Sequence, residues 1–265
     1  MLHIAKEHVS NEQHPPRKLQ RRKARAVSGP SRRAEVFHRD VVRPYGSLEL
    51  TNVEDRTPLA SRGLNVRSAL RSGGFLTNDE FDELYPPDIR AKSQVYWTPL
   101  EIAVRTAKLL VNAPGCRVLD VGSGAGKFCV VGSLVTEGEF VGVEQQAPLV
   151  ECARELASVV GATNATFFHG AFDTLNPEDF DAFYFFNPFE ENKFVDPTDP
   201  DANILLLEER FRTDVRNAQR FLRRARKGAR VLTYNGMGGR IPRCYSLLDR
   251  IEMRCTVELW VHEAQ

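Results

Sequence analysis

Residues Arg117–Phe128 read RVLDVGSGAGKF, and the fold turns on them. Five residues suited to a buried strand run straight into three glycines, Gly122, Gly124 and Gly126, spaced two apart. A helix containing Phe128, Val130, Val131 and Leu134 is expected to follow directly. Glycine at such a turn lets backbone come close to a ligand, and the helix that follows offers unpaired N–H groups. A phosphate-cradling loop needs glycine five residues before the Gly-Lys pair and Ser or Thr after it, but Val121 and Phe128 hold those places. A dinucleotide fingerprint wants its third glycine where Lys127 stands, which weakens that alternative.

Outward from the loop, apolar runs alternate with amphipathic stretches: RVLDV, FVGVE, ATFFH, AFYFFN and ARVLTYN, each bounded by Gly, Pro or polar residues. Such alternation predicts a mostly parallel sheet with helices on both faces. Between the fourth and fifth runs, Ile204, Leu207, Phe211, Val215, Ala218, Leu222 and Ala225 recur at helical spacing, with Arg223, Arg224, Arg226 and Lys227 crowding the end before Gly228. Those cations complement the negative helix end, and Gly228 is expected to take the left-handed cap. YSLLDRI and CTVELWVH close the chain as a hairpin-like pair. Upstream, Thr98-Pro99-Leu100-Glu101 has capping-box spacing and is expected to open a helix to about Val111. Between residues 45 and 97 one short helix is expected in LTNDEFDELY, with Thr77 and Glu80 as a second capping box and Pro86-Pro87 as its stop.

Charge divides the chain. Residues 1–45 carry 11 Lys/Arg against 4 Asp/Glu, and the other 220 carry 25 against 31. Residues 1–44 therefore read as a basic, disordered tail, whose partner, if it has one, is anionic: nucleic acid or an acidic protein surface. Residues 45–97 are expected to form an N-terminal extension and 98–265 the main globular domain. Cys116, Cys129, Cys152, Cys244 and Cys255 are scattered, without CxxC pairs or nearby His, so neither a disulfide framework nor a metal site is indicated. A reducing, cytoplasmic setting is expected. The N-terminus lacks the apolar core of a signal peptide, and no apolar run reaches the roughly 18 residues of a membrane span.

With Asp120, the loop has the form [D/E]xGxGxG and resembles motif I of the class I, seven-strand S-adenosylmethionine-dependent methyltransferases. The resemblance implies a three-layer α/β/α sandwich around a mostly parallel seven-stranded sheet, with S-adenosylmethionine as cofactor. On it, Asp120, Gly122, Ser123, Gly124 and Gly126 form the loop around the cofactor's amino-acid end. Glu144, ending the second strand 18 residues after Gly126, accepts both ribose hydroxyls, with Gln145 beside it. Many family members carry an acid where Ala171 stands here, so its contact to the adenine amino group is absent or moved to Asp173. Phe172 suits either the adenine face or core packing.

FYFFNPFEEN ends the fourth strand with Asn187, Pro188, Phe189 and Glu190. It resembles the [D/N]PP[Y/F] signature of amino-group methyltransferases, with Phe189 in place of the second proline and Glu190 in place of the aromatic ring. GSGAGKF, GVE and FNPFEEN are also similar, in order and chemistry, to the non-SET histone lysine methyltransferases. On that likeness Phe189, with Phe186 or Tyr184, forms an aromatic channel for an amine. QVYWTPLEIA resembles a YTP-type segment that meets the cofactor carboxylate, giving Thr98 a second role. The expected activity is methyl transfer to a nitrogen of a protein side chain or small molecule, aligned by Asn187 and the Pro188 carbonyl, with Glu190 or Glu191 taking the proton. RNA or DNA amino groups are the alternative acceptors, and a non-catalytic cofactor- or nucleotide-binding module is the alternative from another class.

Overall fold

The computed structural model describes residues 58–91, 97–189, 204–252 and 255–263. The basic tail, Glu190 and Glu191 lie outside them.

All five apolar runs are strands: β1 (Arg117–Val121), β2 (Glu139–Glu144), β3 (Ala165–His169), β4 (Ala182–Phe185) and β5 (Arg230–Tyr234). The closing pair is β6 (Tyr245–Glu252) and β7 (Thr256–His262). The seven strands lie in the order β3-β2-β1-β4-β5-β7-β6. Pairing is parallel from β3 through β5, and β7 runs antiparallel to both of its neighbours. Chain order reverses between β1 and β4, which opens a crevice at the carboxyl ends of those strands where ligands bind in open α/β sheets.

Both faces of the central strands are covered, which is why they read as unbroken apolar runs. Phe183 and Phe185 point into one layer, with α7 (Ile204–Arg223) supplying Val215, Ala218, Phe221 and Leu222. Tyr184 points into the other, against α4 (Leu100–Leu110) and α5 (Lys127–Val135), with α6 (Ala147–Val160) continuing that layer. Phe183, Phe185 and Tyr184 are all fully buried. Burying one such ring contributes roughly 1.5–3 kcal/mol, so β4 anchors both layers.

The extension holds more helix than its sequence predicts. Instead of one short helix, its described residues form three: α1 (Leu59–Ser72), α2 (Asn78–Asp82) and α3 (Pro87–Arg90). The expected capping box on α2 is present, with Glu80 N–H donating to Thr77 Oγ1 (3.2 Å) and Thr77 N–H to Glu80 Oε2 (2.7 Å). Phe81, Leu84 and Tyr85 share its buried face. α1 buries only Gly63, Val66 and Leu70. It seats on α6 at Gly63, where a Cβ would fall 2.5 Å from the Val159 carbonyl oxygen.

Two helix ends differ from expectation. Thr98 does not cap α4: Pro99 occupies the cap position in an extended conformation (ψ 145°), and the first free N–H, that of Leu100, donates instead to Asn78 Oδ1 at 2.7 Å. α7 ends at Arg223, five residues before Gly228. Gly228 is left-handed (φ 82°), but it shapes the turn into β5 and gives its N–H to the His262 carbonyl.

Candidate active site

The glycine loop leaves β1 at the crevice with Gly122, Gly124 and Gly126 at φ 74°, 53° and 82°. These are left-handed values that L side chains adopt at a cost. The first and third glycines are also sterically required. A Cβ on Gly122 would meet Pro188 Cβ at 2.9 Å, and one on Gly126 would meet Ala153 and Phe167 within 2.7 Å. The loop is thus pressed against the β4 turn at one end and against α6 and β3 at the other.

Beneath it sits Glu144, almost wholly buried at the end of β2. Its Oε2 accepts from Gly124 N–H (3.1 Å) and its Oε1 from Gln146 N–H (2.8 Å). Each oxygen thereby keeps a free lone pair, and the carboxylate fastens the loop to the start of α6. Asp120 lies under the same loop. Burial pushes its carboxyl up to about 7; the Cys129 thiol, 3.5 Å from Oδ2, pulls it down, and the Glu144 charge adds to the rise.

Two hollows meet at Gly122. The first runs along Val143, Glu144, Gln145, Gly170, Phe172, Pro188 and Phe189, and α7 closes it with Arg210 and Asp214. The second runs along Asp120, Ser123, Gly124, Ala125, Lys127 and Phe128 to Trp97, Thr98, Tyr184 and Phe186. Glu144, the residue expected at the ribose, falls in the first hollow, and most of the loop expected around the cofactor's amino-acid end falls in the second.

Most of the residues singled out in the sequence therefore converge. Phe172 packs in the core, against Phe189 (5.7 Å) and edge-on against Phe221 (5.5 Å), and also lines the first hollow. Thr98 faces the second hollow with its hydroxyl 2.8 Å from the Tyr184 hydroxyl. Gln145 is exposed and accepts from Arg210 Nη2 (3.3 Å), so its side chain belongs to the α7 contact. Asn187 has φ 42°, the β4 turn being held by its N–H on the Gly236 carbonyl (3.1 Å). The expected single aromatic channel is split, because Tyr184 and Phe186 line the second hollow and Phe189 the first. Asp173 is engaged by Asn217 Nδ2 at 3.0 Å and does not line the first hollow.

Arg210, Asp214 and Lys127 also line the hollows, a place that the sequence does not predict for them. Asp214 lies in the first hollow, where burial raises its carboxyl against the pull of Arg210. The signal for it was a lone acid between Phe211 and Val215, next to the buried face of α7. Among the described residues no group of three His, Cys, Asp or Glu is placed to hold a metal, and no helix is long and apolar enough to cross a membrane.

Residues 112–226 match the family described as Methyltransferase domain. No curated protein matches the chain in sequence. Among solved structures, it is similar to an RNA methyltransferase from Salinibacter ruber in complex with S-adenosyl-L-homocysteine: 18% identity over 63% of this chain and 94% of that one, TM-score 0.46. It is similar also to TrmN from Thermus thermophilus, at 18% identity over 62% of this chain and 49% of that one, TM-score 0.46. MtNAS in complex with S-adenosylmethionine aligns over 78% of this chain and 75% of its own, at 15% identity and TM-score 0.45.

Proposed function

From a chain that carries a class I, S-adenosylmethionine-dependent methyltransferase domain, we propose that the methyl acceptor is a nitrogen, borne by a protein side chain or a small molecule. The observation that carries the proposal is the Asn187-Pro188-Phe189 turn. Asn187 takes a left-handed backbone at φ 42°, a conformation that costs free energy and is kept where the surroundings impose it. Pro188 sits directly over Gly122, the residue shared by the two hollows. Asn187 lines neither hollow but immediately precedes Pro188; in the proposal its amide oxygen and the Pro188 carbonyl accept two N–H bonds from the acceptor nitrogen and direct its lone pair toward the cofactor.

S-adenosylmethionine supplies an already activated methyl group. The chain's own work is then alignment, exclusion of water and removal of one proton. Asn187 and Pro188 align, Phe189 shields, and Glu190 or Glu191, next along the chain, receives the proton directly or through water. Asn187→Ala is expected to lower kcat by about 100-fold, a loss of ~3 kcal/mol in aligning interactions, with the Kd for S-adenosylhomocysteine held within about threefold. A large loss of cofactor affinity at unchanged kcat would overturn the assignment. The screen that identifies the acceptor transfers isotopically labelled methyl to peptides and amines and locates the label by mass spectrometry.

A nucleic-acid amino group is the second reading, favoured by the 11 Lys/Arg in residues 1–45. It requires a steep fall of binding with salt, about 0.9 in log affinity per log salt for each phosphate neutralised. A flat salt profile for the full chain would favour a small neutral acceptor instead.

A further inference from the structure

The glycine loop is held from above by a segment that lies outside the matched domain. Lys127, the first residue of α5, turns away from solvent and pairs with Asp82 at 2.7 Å, with both side chains only 5% exposed. Its ammonium also donates to Asn78 Oδ1 (3.0 Å) and lies 5.3 Å above the Phe81 ring. All three partners belong to α2. The same Asn78 oxygen accepts from Leu100 N–H, so one side chain joins the loop helix to the start of α4. Tyr85 adds a second tie, donating its hydroxyl to the Ala125 carbonyl within the loop (3.2 Å) and packing against Trp97 with the rings tilted, centroids 4.4 Å apart.

These ties are not spread evenly over the site. Ala125, Lys127 and Trp97 all line the second hollow, and none of them lines the first. Glu144, by contrast, secures the loop from the first hollow's side. Burial lowers the Lys127 ammonium, and the hydrogen bond and charge of Asp82 offset only part of that, so removing one partner would strand a buried charge.

We propose that Asp82 and Tyr85 are positioning residues for the cofactor's amino-acid end: through Lys127 and Ala125 they set the shape of the second hollow and leave the adenosine hollow to Glu144. The proposal rests on the cofactor being S-adenosylmethionine. In consequence, ligands that carry the amino-acid group should depend on α2, and ligands that stop at the adenosyl thioether should not.

The test compares the Kd of S-adenosylhomocysteine with that of 5′-methylthioadenosine, by calorimetry on the full chain. Variants are Asp82→Asn, Tyr85→Phe and the doubly neutral Asp82→Asn/Lys127→Met. For Asp82→Asn, S-adenosylhomocysteine should weaken about tenfold or more, the scale of one charged hydrogen bond, while 5′-methylthioadenosine stays within about twofold. Tyr85→Phe, which leaves the ion pair intact, should show the same selective loss at about threefold. The double variant should bind S-adenosylhomocysteine better than Asp82→Asn alone, because no buried charge is stranded. It also serves if the single variant does not fold. Equal weakening of both ligands, or of neither, would overturn the proposal and leave α2 a general support. Failure of the wild-type chain to bind either ligand would instead overturn the cofactor reading itself.

Discussion

Glu144→Gln changes one atom and separates the observed loop-fastening role of this side chain from the ribose contact proposed for it. The carboxylate accepts Gly124 N–H at 3.1 Å and Gln146 N–H at 2.8 Å. Glutamine keeps one acceptor and turns an NH2 toward the other N–H, so one charge-assisted bond is lost and a buried donor is left facing a donor. Such a loss costs about 1.5–3 kcal/mol. At about 2–4 °C per kcal/mol for a unit of this size, Tm should fall by roughly 5–10 °C. Affinity should fall independently, because the two ribose hydroxyls then face a neutral amide and not a carboxylate. Losing that bidentate contact costs about 2–3 kcal/mol, or 30- to 150-fold in Kd for S-adenosylhomocysteine. Calorimetry of unfolding and of ligand binding on the same samples reads both. A fall in Tm with unchanged Kd would show that Glu144 only fastens the loop and would refute its ribose role. Unchanged Tm with a weakened Kd would refute the fastening role.

Other consequences are open to measurement. Asp120 has its carboxyl raised by burial from 3.8 to about 7, so the folded state holds this proton more tightly than the unfolded chain. The stability it contributes is fully present below about pH 4 and is lost as pH rises through 7, by up to about 4 kcal/mol at 1.36 kcal/mol per unit. Asp120→Asn should therefore gain on the wild type in Tm between pH 5 and pH 8, and a constant difference across that range would contradict the shift. Gly63→Ala should lower Tm by a few degrees: the gain in helix propensity, about 1 kcal/mol, is outweighed by a Cβ 2.5 Å from the Val159 oxygen. A rise in Tm would mean that α1 does not seat on α6 there.

The parts legible in the sequence were those written in local pattern. Five apolar runs became five strands because a strand covered on both faces needs no polar alternation. Glycine at 122, 124 and 126 marked a turn where backbone comes close to a ligand, and all three take left-handed backbone there. The parts that were not legible depend on partners far along the chain. Lys127 read as a fault in a dinucleotide fingerprint, and only its ion pair with Asp82, 45 residues away, gives it a place. Thr98 had ideal capping spacing, yet Asn78 from α2 reached the helix end first and left the Thr98 hydroxyl to Tyr184. α1 escaped notice because it buries only three residues and is otherwise rich in Ser and Arg. Arg210 and Asp214 lie off the apolar stripe of α7, and only the packing of that helix over the first hollow gives them a place there.

The most direct test of the account is thermal unfolding of the full chain with S-adenosylhomocysteine and, separately, with NAD. At 100 times Kd a ligand that binds only the folded state stabilises it by about 2.7 kcal/mol, so S-adenosylhomocysteine should raise Tm by roughly 5–10 °C and NAD should leave it unchanged. A rise with NAD and none with S-adenosylhomocysteine would contradict it.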